Sequence, residues 1–226
     1  MDGNGRWAER RGLKRVEGHR QGAETAQQIS EECTRLGIER LTLYAFSLEN
    51  WKRPKAEVTT LMKLLKRFLK DKRSEMKKEK IRFTAIGRLH MLPADTRREL
   101  DKTISATASN DGLNLCLALS YGGRAEVVDA ARALARKALR GEIEPDAIDE
   151  EMFGRELYQP GVDPDLMIRT AGEMRLSNFL LWQASYSEFY VTERCWPEFT
   201  LDEFHRALDA YDQRVRKFGG LKTGSR

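Results

Sequence analysis

Cysteine is scarce in this chain. Cys33, Cys116 and Cys195 are odd in number and form no C-x-x-C pair. A disulfide framework and a cysteine-built zinc site are therefore excluded as organising features, and a reducing cytoplasm is the expected location. Long apolar runs are missing as well. No stretch reaches the ~18 residues of a membrane span, and no leader-like segment stands ahead of Asp2, so any membrane contact would be peripheral, at the inner membrane face. Neither an internal repeat nor a low-complexity linker divides the sequence, and residues 1–226 read as one domain. Acidic residues are outnumbered, 35 against 40 basic ones, which leaves a net charge of +5. That balance favours an anionic partner: a phosphate ligand, nucleic acid or an acidic membrane surface.

What is present is concentrated at the start. Asp2-Gly3-Asn4-Gly5-Arg6-Trp7 places a carboxylate beside two glycines, an amide, a guanidinium and an indole. The glycines let the backbone turn sharply and approach a ligand closely. Amide N–H groups in such a turn can converge on an anion, and Arg6 adds a forked donor suited to phosphate. Asp2 repels phosphate but can hold a Mg²⁺ that binds it. The stretch reads as a magnesium-diphosphate cradle, against the plainer reading of a Gly/Asn turn with a core tryptophan. Arg15 comes just before, and His19 at the start of, a helix expected over 18–36, whose apolar positions Ala23, Ala26, Ile29 and Cys33 recur at helical spacing.

A strand expected over 40–46 empties into Ser47-Leu48-Glu49-Asn50-Trp51-Lys52-Arg53. In open α/β sheets, ligands gather beyond the carboxyl ends of strands. A long amphipathic helix is expected over 58–80, with Val58, Leu61, Met62, Leu65, Phe68, Leu69 and Met76 on one stripe. That stripe either faces the core or lines a tunnel for an apolar chain, with the basic opposite face near anionic lipid. Further strands are expected over 81–86, 113–119 and 165–169, and helices over 93–110, 125–140, 146–157 and 201–218. This alternation indicates a parallel α/β sheet. After the strand ending at Arg169 come Arg175, Leu176 and Ser177 around a Gly172 turn, a set suited to a second diphosphate or to structural ion pairs. Glu188 lies among aromatic and apolar neighbours, where an unpaired carboxylate is costly, so a metal or an arginine is expected beside it.

Taken in order, D-G-N-G-R-W, His19, S-L-E-N-W-K-R-P, Y-G-G-R, R-T-A-G-E-M-R-L-S-N-F-L-L-W-Q and the E-F-Y around Glu188 resemble the cis-prenyltransferases, and most closely the bacterial undecaprenyl diphosphate synthase type. The resemblance spans nearly the whole chain. It implies a single α/β domain whose central parallel sheet is flanked by helices enclosing an apolar tunnel, Mg²⁺ dependence and a homodimer. It implies that farnesyl diphosphate is extended by isopentenyl diphosphate to a medium-chain product, undecaprenyl diphosphate, for a cell-wall lipid carrier. By the same resemblance, Asp2 is the catalytic, metal-holding aspartate. Gly3, Asn4, Gly5, Arg6, Trp7, Arg15 and His19 form the allylic diphosphate site. Ser47, Leu48, Glu49, Trp51 and Arg53 help position both substrates, together with Asn50. Arg169, Arg175, Leu176 and Ser177 form the isopentenyl site, and Glu188 is a second metal carboxylate. The family names the residue matching Asn50 as proton acceptor; an amide is barely basic, so its expected task is to orient a diphosphate oxygen that takes the proton.

Three departures from the family pattern stand out. Ala171-Gly172 replaces a glycine pair, Met174 stands where a histidine is common, and Lys217 stands for an arginine near the C-terminus. A fourth concerns Met1. Relatives carry a short apolar strand, of the form H-I-A-I-I-M, directly ahead of D-G-N-G-R-W, so the first strand is expected to lie upstream of the sequence in hand. Three rivals fare worse. A trans-type synthase needs D-D-x-x-D motifs on an all-helical fold, and a non-catalytic partner subunit lacks the aspartate turn. A nucleic-acid binder needs stacking aromatics on its basic helix, where only Phe68 is found, so no nucleic-acid partner is expected.

Overall fold

A computed structural model describes residues 1–214. The expected end of the last helix, with Val215 and Phe218, and the Arg216–Lys217 departure lie outside the described residues. Two parallel sheets carry the fold. In the first, β1 (Arg40–Ser47) and β2 (Arg82–Ile86) flank β3 (Asn114–Tyr121). In the second, β4 (Leu166–Arg169) pairs with β5 (Glu188–Val191). Around them stand α1 (Asn4–Glu9), α2 (Arg15–Arg35), α3 (Lys55–Asp71), α4 (Arg73–Lys78), α5 (Ala94–Thr107), α6 (Gly123–Leu139), α7 (Glu150–Arg155) and α8 (Leu201–Asp212). No described helix is long and apolar enough to cross a membrane.

Buried β3 shows why the sheet needs cover on both faces. Leu115, Leu117 and Leu119 enter one core cluster with Ile29 and Cys33 of α2, Leu69 of α3 and Leu100 of α5. Cys116 and Ala118 point the other way, towards Leu180 and Ala184. Simple alternation would then send Tyr121 to the first face. Instead Ser120 takes a left-handed φ of 46° and the β1–β3 register shifts after Tyr44, so Tyr121 joins the second cluster.

The expected elements are present with shifted limits. The single helix over 58–80 is two, bent at Lys72, and Arg73 leaves the bend to bond Glu99 and Thr103 of α5. The helix over 146–157 is shorter, because Asp149 caps its start by accepting from the Met152 N–H at 2.8 Å.

The expected continuous sheet is divided. Consecutive residues of β1, Arg40 to Tyr44, and of β4, Leu166 to Arg169, border one cavity of about 1170 Å³ that is also lined by Met1, Trp196, Phe199 and Phe204. Among the described residues no strand pairs with the outer edge of β1 or of β4. An apolar strand fits such a slot, since it would pair both edges and bury side chains against Phe199 and Phe204. Adding H-I-A-I-I ahead of Met1 is expected to raise the melting temperature by roughly 10 °C or more, since three buried isoleucines contribute ~1.5–3 kcal/mol each before ordering costs. Equal melting curves for the two forms would show that the slot does not take a strand.

Candidate functional site

The Asp2 turn is stitched to the far end of the chain. Asp2 N–H donates to Thr170 Oγ1 at 2.9 Å, and Thr170 Oγ1–H donates back to Asp2 O at 3.0 Å. Trp196 N–H donates to Asp2 O at 2.8 Å. Gly3, with φ of 92°, closes the turn; a Cβ there would lie 2.7 Å from Cys195 Sγ, so glycine is required for both conformation and space. The carboxylate is 39% exposed. Its Oδ1 accepts from Gly3 N–H at 2.7 Å and lies 3.5 Å from Arg6 Nη2, while its Oδ2 accepts from Arg169 Nη2 at 2.9 Å. Burial works to raise the Asp2 pKa, but the Gly3 amide, Arg169 and Arg6 together hold it below the usual carboxylate range, so Asp2 is ionised at neutral pH.

A second cationic group faces this turn. Arg15, His19 and Arg53 converge on Glu57 of α3, at 3.8, 3.9 and 3.0 Å. Burial pushes the His19 pKa down to about 4, with Arg53 adding to the effect, so its imidazole is neutral and contributes hydrogen bonding rather than charge. Glu57 was not anticipated; its signal is an acid four residues after Arg53, in the first turn of a helix. Behind these groups lies an apolar cavity of about 250 Å³, whose wall includes Ala23, Ala26, Ala45, Met62, Leu65 and Phe68. The apolar stripe of α3 thus faces both core and cavity. Gly3, Asn4, Gly5, Arg6 and Asn50 line the same space. Three buried polar atoms that border it or the adjoining slot, Asn4 Oδ1, His19 Nε2 and Arg169 Nε, have no hydrogen-bond partner. Such atoms are costly unless a ligand or water completes them.

The loop after β1 is a capped turn. Ser47 N–H donates to Asn50 Oδ1 at 3.1 Å, so the Asn50 carbonyl is engaged and its NH₂ group is the free end. Trp51 is anchored inward: its ring packs on Phe46 with centroids 5.0 Å apart, and Nε1–H donates to Ser120 Oγ at 2.9 Å. Leu48 and Glu49 sit in the same turn. Beyond β4, Arg169 Nη2 also donates to Ser177 Oγ at 3.1 Å, while Arg175 pairs with Glu173, which in turn pairs with Arg6 at 3.0 Å. Arg175 and Leu176 border the large slot. Ala171 has φ of 67°, so alanine in place of glycine there carries ~1–2 kcal/mol of left-handed strain.

Of the expected site residues, Trp7, Ser47, Leu48, Glu49, Trp51, Ser177 and Glu188 line neither cavity, and two of them are held elsewhere. Trp7 does not line the apolar cavity; Arg11 stacks over its ring at 4.6 Å. Glu188 pairs with Leu166 at the opposite end of β4 from Thr170, and its carboxylate binds Arg214. Within one chain, therefore, the Asp2 and Glu188 carboxylates do not meet, and the arginine expected beside Glu188 is the partner found. Among the described residues no group of three or more His, Cys, Asp or Glu could hold a metal unaided. The residues nevertheless fit magnesium, which is commonly held by one or two carboxylates together with substrate phosphates. Asp2, ionised and partly exposed, is the residue that would hold it.

Comparison with known proteins agrees with this geometry. The family model described as "Putative undecaprenyl diphosphate synthase" matches residues 1–219. Isoprenyl transferases from Fusobacterium nucleatum and Heliobacterium mobile are 48% and 50% identical, covering 99% of this chain in each case and 94% and 86% of those proteins. The crystal structure of lavandulyl diphosphate synthase from Lavandula x intermedia, in complex with dimethylallyl diphosphate, superposes with a TM-score of 0.94 at 38% identity, covering 97% of this chain and 95% of that one. With an ionised aspartate turn, two cationic groups and an apolar cavity in one α/β fold, the chain belongs to the cis-prenyltransferase family of isoprenyl transferases, which join isopentenyl diphosphate to an allylic diphosphate.

Proposed function

We propose that this transferase extends farnesyl diphosphate with isopentenyl diphosphate to a medium-chain polyprenyl diphosphate, near eleven isoprene units, with a new cis double bond at each addition. The observation that carries this reading is the junction at Asp2. An ionised carboxylate stands between Arg6 and Arg169, and the cationic group of Arg15 and Arg53 opens behind it onto an apolar cavity. In this reading the allylic diphosphate lies among Arg6, Arg15 and Arg53 with its tail on Ala45, Met62 and Phe68. The isopentenyl diphosphate lies at Arg169, Arg175 and Ser177. The terminal alkene carbon of isopentenyl diphosphate bonds to C1 of the allylic substrate as the C1–O bond breaks. The positive charge left on C3 of the isopentenyl unit is then quenched by loss of a proton from C2, which forms the new C2=C3 double bond, and the diphosphate leaves as the anion.

Guanidinium groups act where that charge develops. Magnesium, when bound at Asp2, supplies further neutralisation of the leaving group. Asn50 is poorly suited to take the proton, since its carbonyl already accepts from Ser47 N–H; in this reading its NH₂ group orients a diphosphate oxygen that does. Each added unit of about five carbons gains roughly 0.8 kcal/mol per CH₂-sized group as it enters apolar surroundings. A homodimer is supported by the exposed Phe189 and Val191 on β5, an edge strand beside exposed Trp182 and Tyr186. Incubation with farnesyl diphosphate, radiolabelled isopentenyl diphosphate and magnesium, followed by product sizing, tests the whole reading; a product that stops after one or two additions, or none, contradicts it.

Three variants probe its parts. Asp2→Ala is expected to lower kcat by several orders of magnitude with allylic binding nearly intact, because Asp2 acts on charge present in the transition state. A loss under about tenfold in steady-state kinetics would remove Asp2 from that role. For Arg175→Ala, KM for isopentenyl diphosphate is expected to rise roughly ten- to a hundredfold, the loss of a charge-assisted contact of ~1.5–3 kcal/mol. A larger rise in the allylic KM would reverse the two diphosphate assignments. Ala45→Leu narrows the cavity and should shorten the product; an unchanged product ladder would show that the chain grows elsewhere.

A further inference from the structure

We infer that Asn178 is a positioning residue that clamps the two substrate loops to each other. This rests on the two-diphosphate reading above. Asn178 lies in the loop after β4, one residue beyond Ser177, and holds a left-handed φ of 64°. Its Nδ2–H donates to Glu49 Oε1 at 2.9 Å, in the capped turn after β1. Its Oδ1 accepts from Arg124 N–H at 2.8 Å and its backbone oxygen from Gly123 N–H at 2.7 Å, both at the start of α6. The clamp is tightly built: a Cβ on Gly122 would lie 2.7 Å from Asn178 Nδ2.

The clamp leads in both directions to candidate substrate groups. On one side, Glu49 neighbours Asn50, whose carbonyl closes the same turn on Ser47. On the other, Ser177 accepts from Arg169, which also donates to Asp2. Asn178 itself lines neither cavity. It therefore sets the spacing of two loops whose own diphosphate contacts it leaves in place. A change in that spacing should cost alignment, and so kcat, far more than the binding of either substrate.

Four proteins decide the matter: wild type, Asn178→Asp, Glu49→Gln, and the double variant. Asp tolerates the left-handed backbone and keeps the acceptor for Arg124, so capping of α6 survives, but it sets carboxylate against carboxylate at Glu49. Glu49→Gln keeps an acceptor for Asn178. The double variant re-forms the bond with donor and acceptor exchanged. With farnesyl and isopentenyl diphosphates at neutral pH, Asn178→Asp is expected to lose roughly tenfold or more in kcat with both KM values within about threefold, and the double variant to match the Glu49→Gln single variant to within about threefold. A KM that moves as much as kcat, or a double variant no better than Asn178→Asp, overturns the clamp. If wild type transfers no prenyl group, the functional reading fails separately. The clamp then rests on melting temperatures: Asn178→Asp below both wild type and the double variant supports it, and Asn178→Asp equal to the double variant overturns it.

Discussion

The position of one carboxylate governs the site. Asp2 is fixed through its backbone by Thr170 and Trp196, both from the C-terminal third of the chain, and through its side chain by Gly3, Arg6 and Arg169. Neither set suffices alone. Without the backbone ties, the guanidinium groups would collapse onto a mobile carboxylate; without the guanidinium groups, only the Gly3 amide would offset the cost of burying the carboxylate's charge. Together they keep an anion where phosphate must come. Opposite charge on every side is what makes that arrangement tolerable before a ligand arrives.

The same balance recurs at Glu57, which faces Arg15, His19 and Arg53. Three basic side chains around one acid would repel strongly if all were charged. Burial removes the charge from His19, leaving two guanidinium groups against Glu57 and against Glu9, which Arg15 also binds at 2.5 Å. An arriving diphosphate thus meets guanidinium groups at both Asp2 and Glu57. The apolar wall formed by Ala23, Ala26 and Phe68 begins immediately behind. A ligand that is anionic at one end and hydrocarbon at the other satisfies both surfaces at once, whereas a free phosphate would leave the apolar cavity without an occupant.

Much of this was legible in the sequence because it is local. Periodicity marked α2 and α3, short β-rich runs marked β1 to β4, and the residues of the Asp2 turn are contiguous. What escaped was set by distance along the chain. Thr170 and Trp196 reach Asp2 across more than 160 residues, and nothing in their own surroundings signals it. Glu57 reads as an ordinary first-turn acid until Arg15 and His19 are packed against it. Glu188 was correctly expected to need a partner, but apolar neighbours could not say whether the partner was a metal or Arg214. The cost of Ala171 depended on the sign of one φ, which composition does not reveal.

The two loops that would carry the two substrates leave β1 and β4, and these are the strands that share no ladder among the described residues. Paired strands hold their ends to a fixed spacing of about 4.8 Å per step across a sheet. Here that constraint is missing between β1 and β4, and what crosses near their carboxyl ends is made of side chains. Tyr44 stacks on Phe179 with centroids 4.5 Å apart, and Glu49 accepts from Asn178. From Met1, at the edge of the slot, the chain runs straight into the Asp2 turn and its bonds to Thr170. Side-chain links are softer than a backbone ladder, because each depends on rotamers that a ladder does not need. A strand in the slot would therefore act twice, adding buried apolar area to the fold and fixing the separation of Asn50 from Arg169. Such a strand would couple the stability of the fold to the geometry of the site without touching a substrate.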